Sequence, residues 1–204
     1  TTTADDTTGA TVDANPPVVS AENISLSGAT GTGGTFKIGD TVTAKWDNTA
    51  SGDKNGDIAS VSFNFIEFGG VSPVTASNSS GTWTATYTIT SGSIDLTNLN
   101  VSVTATDTAG NDTTKQDDEN ATVDNVPPTV TAANISVSGA TGNPNNSVFK
   151  IGDTVTVEWD NTGTGDNNAD TIDGVTVDFS DFGGSATVAA NNSAGVWKAT
   201  YEYT

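Results

Sequence analysis

Apolar and polar positions alternate along most of this chain. Val42, Ala44 and Trp46 share one face of residues 41–46, and Val61, Phe63 and Phe65 share one face of 61–65. The same holds for Trp83, Ala85, Tyr87 and Ile89 in 82–89, and for Leu99, Val101, Val103 and Ala105 in 99–105. Threonine and serine fill most of the intervening positions. A period of two with one wet face predicts β-strands, and helical periodicity is absent. Shorter strands are predicted near residues 24–26, 73–76 and 121–123. About seven strands in roughly 110 residues is the pattern of an all-β, Greek-key sandwich. Trp46, Trp83, Phe63 and Phe65 lie in phase with the aliphatic positions, so they are expected in a core rather than stacked on sugars.

The pattern occurs twice. Val12-Asp13-Ala14-Asn15-Pro16-Pro17 returns as Val123-Asp124-Asn125-Val126-Pro127-Pro128, Asn23-Ile24-Ser25 as Asn134-Ile135-Ser136, and Phe36-Lys37-Ile38-Gly39-Asp40-Thr41 as Phe149-Lys150-Ile151-Gly152-Asp153-Thr154. Trp46-Asp47-Asn48-Thr49 returns as Trp159-Asp160-Asn161-Thr162. The offset grows from 111 at Asp13/Asp124 to 113 at Trp46/Trp159 and 114 at Trp83/Trp197, through two small loop insertions. Thr2, Thr3 and Asp6, with Ala10-Thr11-Val12-Asp13, align with Thr113, Thr114, Asp117 and Ala121-Thr122-Val123-Asp124. Residues 1–13 are therefore expected to be the last-strand tail of a preceding repeat, 14–124 a complete repeat, and 125–204 a second repeat that stops before its last strands. The parent is expected to be longer, with at least three units. Proline fixes φ and restricts its predecessor, so the Pro-Pro pairs predict short, stiff links.

Composition narrows the chemistry. Six basic residues stand against 25 acidic ones, a net charge of −19, with no His, Cys or Met. All the basic residues are lysines. This charge repels nucleic-acid backbones and anionic lipid, and no apolar run is long enough to span a bilayer, so neither nucleic acid nor direct membrane insertion is expected. Without His or Cys there is no serine–histidine triad, thiol nucleophile or thiolate–imidazole zinc site. Carboxylates, amides and hydroxyls remain, which are ligands for hard cations. No enzymatic activity is expected, because nothing points to two carboxylates facing each other across a cleft.

Thr104-Ala105-Thr106-Asp107-Thr108-Ala109-Gly110-Asn111, followed by Val123-Asp124-Asn125 and Pro127-Pro128, resembles the bacterial immunoglobulin-like repeats of large surface proteins and adhesins. The resemblance spans the whole chain. It implies tandem immunoglobulin-like sandwiches joined end to end in an extracellular, cell-surface stalk, often stiffened by calcium near domain junctions. Its partners would be the neighbouring repeats of the same chain. A self-assembling surface-layer or filament subunit, with identical subunits as partners through strand edges, is the alternative reading, and a glycan-binding module is the second.

Two groups of residues carry the expectation of Ca2+. The first is the loop with Asp47, Asp53, Asn55 and Asp57, and its copy with Asp160, Asp166, Asn168 and Asp170. Asp-x-Asn-x-Asp spacing lets side-chain oxygens converge where the backbone turns, although the same residues also suit a solvated turn. The second group sits at the junction: Asp107 and Asn111 at the end of a core strand, with Asp124 opening the link and Asp13 as its counterpart. The rival reading there is a side-chain-capped turn in which Gly110 supplies positive φ.

Overall fold

Strands form where the alternation is strongest, and the computed structural model describes residues 9–143 and 148–204. Residues 1–8, which include Thr2, Thr3 and Asp6 of the expected tail, lie outside the described residues. The chain divides into two compact units, Thr1–Pro127 and Pro128–Thr204.

The first unit contains β1 (Ile24–Ser27), β2 (Phe36–Lys37), β3 (Thr41–Asp47), β4 (Ile58–Asn64), β5 (Val74–Thr75), β6 (Ser77–Ser79) and β7 (Thr82–Thr88). It continues with β8 (Asp95–Leu99), β9 (Ser102–Asp107), β10 (Asp112–Gln116) and β11 (Ala121–Asp124). One sheet runs β1-β3-β7-β6, a second β10-β9-β4-β5, and a smaller third β2-β11-β8. These sheets share a core that includes Val42, Ala44, Trp46, Val61, Phe63, Val101, Val103, Ala105 and Val123. Of the aromatic residues in the alternating pattern, Trp46, Phe63, Phe65 and Trp83 are buried and Tyr87 is half-buried.

The run 99–105, expected as one strand, is divided between two sheets: β8 ends at Leu99 and β9 begins at Ser102. Hydrogen bonding explains the break. Asp117 accepts the Val101 N–H at 2.5 Å and Glu67 accepts the Asn100 N–H at 2.7 Å, which takes both donors out of a ladder. Asn98 sits at a φ of 60°, a conformation that Asn tolerates better than most residues. Short polar strands such as β6 and β10 lacked the apolar alternation by which the longer ones were recognised.

The second unit contains β12 (Ile135–Ser138), β13 (Thr154–Asp160), β14 (Thr176–Val177), β15 (Val188–Ala189), β16 (Asn191–Ser193) and β17 (Val196–Glu202). Its main sheet, β12-β13-β17-β16, reproduces β1-β3-β7-β6, and β14 pairs with β15 as β4 does with β5. The register is the same too. Trp159 lies opposite Trp197 and Val155 opposite Tyr201, as Trp46 lies opposite Trp83 and Val42 opposite Tyr87. Gly28 and Gly139 mark the same tight approach. A Cβ on either would fall about 2 Å from the carbonyl oxygen of Thr41 or Thr154, at a φ of 112° or 104°.

Val103 is fully buried between the sheets. Val103→Ala is expected to lower the stability of the first unit by about 2 kcal/mol, through lost burial and a residual cavity. Urea denaturation followed by residue-resolved NMR checks this, and the resonances of 128–204 should keep their midpoint.

Candidate cation site and link clamps

The turn after β9 is built around one carboxylate. Asp107 Oδ1 accepts the backbone N–H groups of Ala109, Gly110 and Asn111 at 2.9, 2.7 and 2.8 Å, and its Oδ2 accepts the Asn111 side-chain amide at 2.8 Å. Gly110 supplies the positive φ, 96°, that the turn requires. The Asn111 amide, followed by those backbone groups, outweighs burial and holds the Asp107 carboxyl below its ordinary range.

This turn gathers two other segments. Asn111 Nδ2 also donates to the Asp13 carbonyl at 3.3 Å, and the Thr108 N–H donates to the Asp57 carbonyl at 2.9 Å. As a result, carboxylate oxygens of Asp13, Asp57 and Asp107 all lie within 4.8 Å of one another. Asp107 is buried, Asp13 half-buried and Asp57 exposed. Among the described residues no lysine forms an ion pair with any of the three. Like charges about 4 Å apart repel by about 1 kcal/mol per pair in water and several-fold more near protein.

The donor set suits a hard divalent cation. All three groups offer oxygen, and a carboxylate has about four acceptor positions. Asp107 Oδ1 takes three donors and Oδ2 one, so Oδ2 retains capacity for an ion. Waters and backbone carbonyls would complete the six to eight oxygens that calcium takes.

The other candidates are placed differently. Asp53 accepts Trp46 Nε1 at 2.6 Å, the Ser20 N–H at 2.9 Å and Asn23 Nδ2 at 2.8 Å. Asn55 clasps Val18 from both sides: its Oδ1 accepts the Val18 N–H and its Nδ2 donates to the Val18 carbonyl, each at 2.8 Å. Asn48 in turn holds Asn55 through its side-chain oxygen and amide. The second unit repeats this. Asp166 accepts Trp159 Nε1 at 2.6 Å, the Thr131 N–H at 2.8 Å and Asn134 Nδ2 at 2.8 Å, and Asn168 clasps Thr129 at 2.6 and 2.9 Å. In both units the Asp-x-Asn pair binds the backbone that follows the Pro-Pro pair.

Asp47 and Asp160 cap their own turns by accepting the N–H groups of Thr49 and Thr162, each at 2.8 Å. Gly52 and Gly165 let the chain pass close beneath, since a Cβ there would fall about 2 Å from the Asp47 or Asp160 carbonyl oxygen. Asp124 accepts the Val126 N–H at 3.1 Å and does not join Asp107 and Asn111. Asp170 is exposed and makes interactions of its own. The carboxylates brought together thus come from both expected groups, one residue from the loop and two from the junction.

Sequence reasoning missed the donors Trp46, Ser20 and Asn23, and it missed the buried carboxylate of Asp40. Asp40 accepts the Thr30 N–H and hydroxyl at 2.9 and 2.5 Å and the Lys37 N–H at 3.0 Å; Asp153 has the matching partners Thr141 and Lys150. The recurrence of Asp40 as Asp153 beside a recurring Thr was the available signal. No protein-family model, curated protein or solved structure matches this chain.

Burial pushes the carboxyls of Asp53 and Asp166 up, but the hydrogen bonds from Ser20, Trp46 and Asn23, and from Thr131, Trp159 and Asn134, more than offset it. Both groups lie below the ordinary carboxylate value, so their contribution to stability is full above that value, near 4, and is lost as pH falls through the lower folded one. Asp117, raised by burial, acts in the opposite sense. The urea midpoint is therefore expected to be lower at about pH 3 than at about pH 6. Asp53→Ala should cost the first unit about 3 kcal/mol at neutral pH, because it strands the Trp46, Ser20 and Asn23 donors, and should flatten that unit's acid response.

Proposed function

We propose that this chain is a non-enzymatic spacer segment of an extracellular surface protein or adhesin, made of tandem immunoglobulin-like sandwiches and stiffened by calcium. The supporting observation is that three distant stretches, at Asp13, Asp57 and Asp107, bring carboxylates within 4.8 Å at the place where the chain passes from its Pro-Pro link into the first unit. Pairing of β3 with β7 and of β4 with β9 carries consecutive strands between sheets, which supports the Greek-key reading.

In this reading the link is held twice. The Asp53–Asn55 clamp holds residues 18–20 through neutral and charge-assisted hydrogen bonds. A cation shared by Asp13, Asp57 and Asp107 would add a crosslink between the segment before the prolines, the loop after β3 and the end of β9. Removing mutual repulsion while joining three segments stabilises the folded state by binding linkage. Asp124 and Asp170 are the sequence counterparts of Asp13 and Asp57 in the second repeat. A rigid element that resists bending and unfolding is what a stalk requires, and no step of bond chemistry is needed from it.

Asp57 provides a clean test, because its backbone carbonyl, not its side chain, anchors Thr108. Calcium at about 100 times its Kd is expected to stabilise the first unit by about 2.7 kcal/mol. Asp57→Asn should remove that gain and slightly raise the stability of the calcium-free protein, because it takes away the repulsion of Asp57 with Asp13 and Asp107. Thermal unfolding in calcium and in chelator checks both statements, and equal melting temperatures in the two conditions would sink the calcium reading.

A further inference from the structure

Asn55, which clasps Val18, is followed by glycine, and this is the only Asn-Gly step in the chain. Asparagine is chemically labile because the backbone nitrogen of the next residue can attack its side-chain amide carbon. A following glycine lacks the Cβ that otherwise hinders the approach and restricts the backbone. Gly56 is exposed, nothing lies within 4 Å of where a Cβ would stand on it, and its N–H donates to no acceptor among the described residues. The attacking nitrogen is therefore unengaged. In the second unit the corresponding step is Asn168-Ala169, where a methyl group obstructs the same attack while the clasp on Thr129 is retained. Two clamps of like geometry thus exist in the chain, and one of them carries the reactive step.

The clasp governs when the reaction runs. Asn55 Nδ2 donates to the Val18 carbonyl at 2.8 Å and to Asn48 Oδ1 at 2.9 Å, and Asn55 Oδ1 accepts the Val18 N–H at 2.8 Å. Those bonds hold the amide plane, and attack on Cγ destroys that plane. Asn48 has no means of compensating once the amide is gone, because its Oδ1 accepts the Asn55 N–H at 2.6 Å and its Nδ2 donates to the Asn55 carbonyl at 3.0 Å. A carboxylate at position 55 offers only acceptors, so one of its oxygens would face the Val18 carbonyl and Asn48 Oδ1 with no proton between them. It would also add negative charge between Asp53 and Asp57.

We propose that Asn55-Gly56 is a self-modification site that releases the link clamp of the first unit irreversibly. The Gly56 nitrogen bonds to Asn55 Cγ, the Cγ–Nδ2 bond breaks, and ammonia leaves with the proton that Gly56 gives up. Water then opens the five-membered succinimide at either carbonyl, giving an aspartyl or an isoaspartyl residue at 55. The isoaspartyl product also adds a methylene to the main chain between Asp53 and Asp57. The clamped amide is protected and the opened amide reacts, so the step turns a transient opening of the link into a lasting one. The inference rests on the clamp and does not depend on calcium.

The experiment incubates the intact 204-residue chain with chelator in mildly alkaline buffer, follows Asn55 and Asn168 by peptide mass spectrometry, and measures hydrogen exchange at Val18 and Thr129. A gain of about 1 Da with isoaspartate is expected at Asn55 and not at Asn168, at least about tenfold slower in the folded chain than in urea, since only the open clamp reacts. The modified protein should lose at least about tenfold of the protection of the Val18 N–H, with the Thr129 N–H unchanged. Gly56→Ala, which the open space around Gly56 accommodates, should suppress the modification and leave the initial exchange at Val18 as it was. No conversion of folded Asn55 over about a hundred half-lives of the urea-unfolded chain, equal rates in the folded and unfolded chains, or conversion of Asn168 as fast as Asn55 would overturn the proposal. So would unchanged Val18 protection in the modified protein.

Discussion

Asp53 and Asp166 each take a carboxylate partly out of water and surround it with donors. One donor is an indole from the main sheet, and the others come from the backbone and side chains of the segment that follows a Pro-Pro pair. A charged acceptor in that setting is tolerated only while its hydrogen bonds outweigh the loss of hydration. The indole and the backbone donors are equally dependent, because no other acceptor takes their place. This mutual requirement joins the incoming chain to the sheet, and the adjacent asparagine extends the joint by clasping a further residue on both its N–H and C=O.

Once residues 18–20 are held, the preceding stretch has little freedom. Two prolines restrict the backbone just before the clamp, and Asn111 takes hold of the Asp13 carbonyl just before the prolines. Asp13 therefore arrives beside Asp57 and Asp107 as a result of contacts that do not involve its own carboxylate. The concentration of negative charge is a by-product of chain routing, and a cation is the natural means of relieving it. Under the proposed function, stiffness of the link and affinity for an ion share this one structural cause.

Much of the fold was legible in the alternation. Strands β3, β4 and β7 were readable because burial on one face imposes a period of two, and the repeat was readable because the same core positions recur with nearly constant spacing. Strands β6 and β10 were not, since their residues are polar and they form by pairing alone. The site was legible only as a set of residue types. Asp53 and Asp57, four residues apart in one loop, read as members of one ligand group, yet one accepts an indole and a distant backbone while the other turns to Asp107. Spacing along a loop cannot distinguish oxygens that converge on an ion from oxygens that converge on N–H groups brought from about thirty residues away.

The sequence by itself determined that the chain is a β-strand repeat, where its links lie, and that its chemistry is limited to oxygen donors with a large excess of negative charge. These follow from local periodicity and residue type, which need no knowledge of distant neighbours. Only the tertiary structure decided that Asp13 rather than Asp124 accompanies Asp107, and that the Asp-x-Asn pairs clasp the chain after the prolines. Each of these depends on which donors and apolar surfaces meet across long stretches of chain, and that is settled by packing.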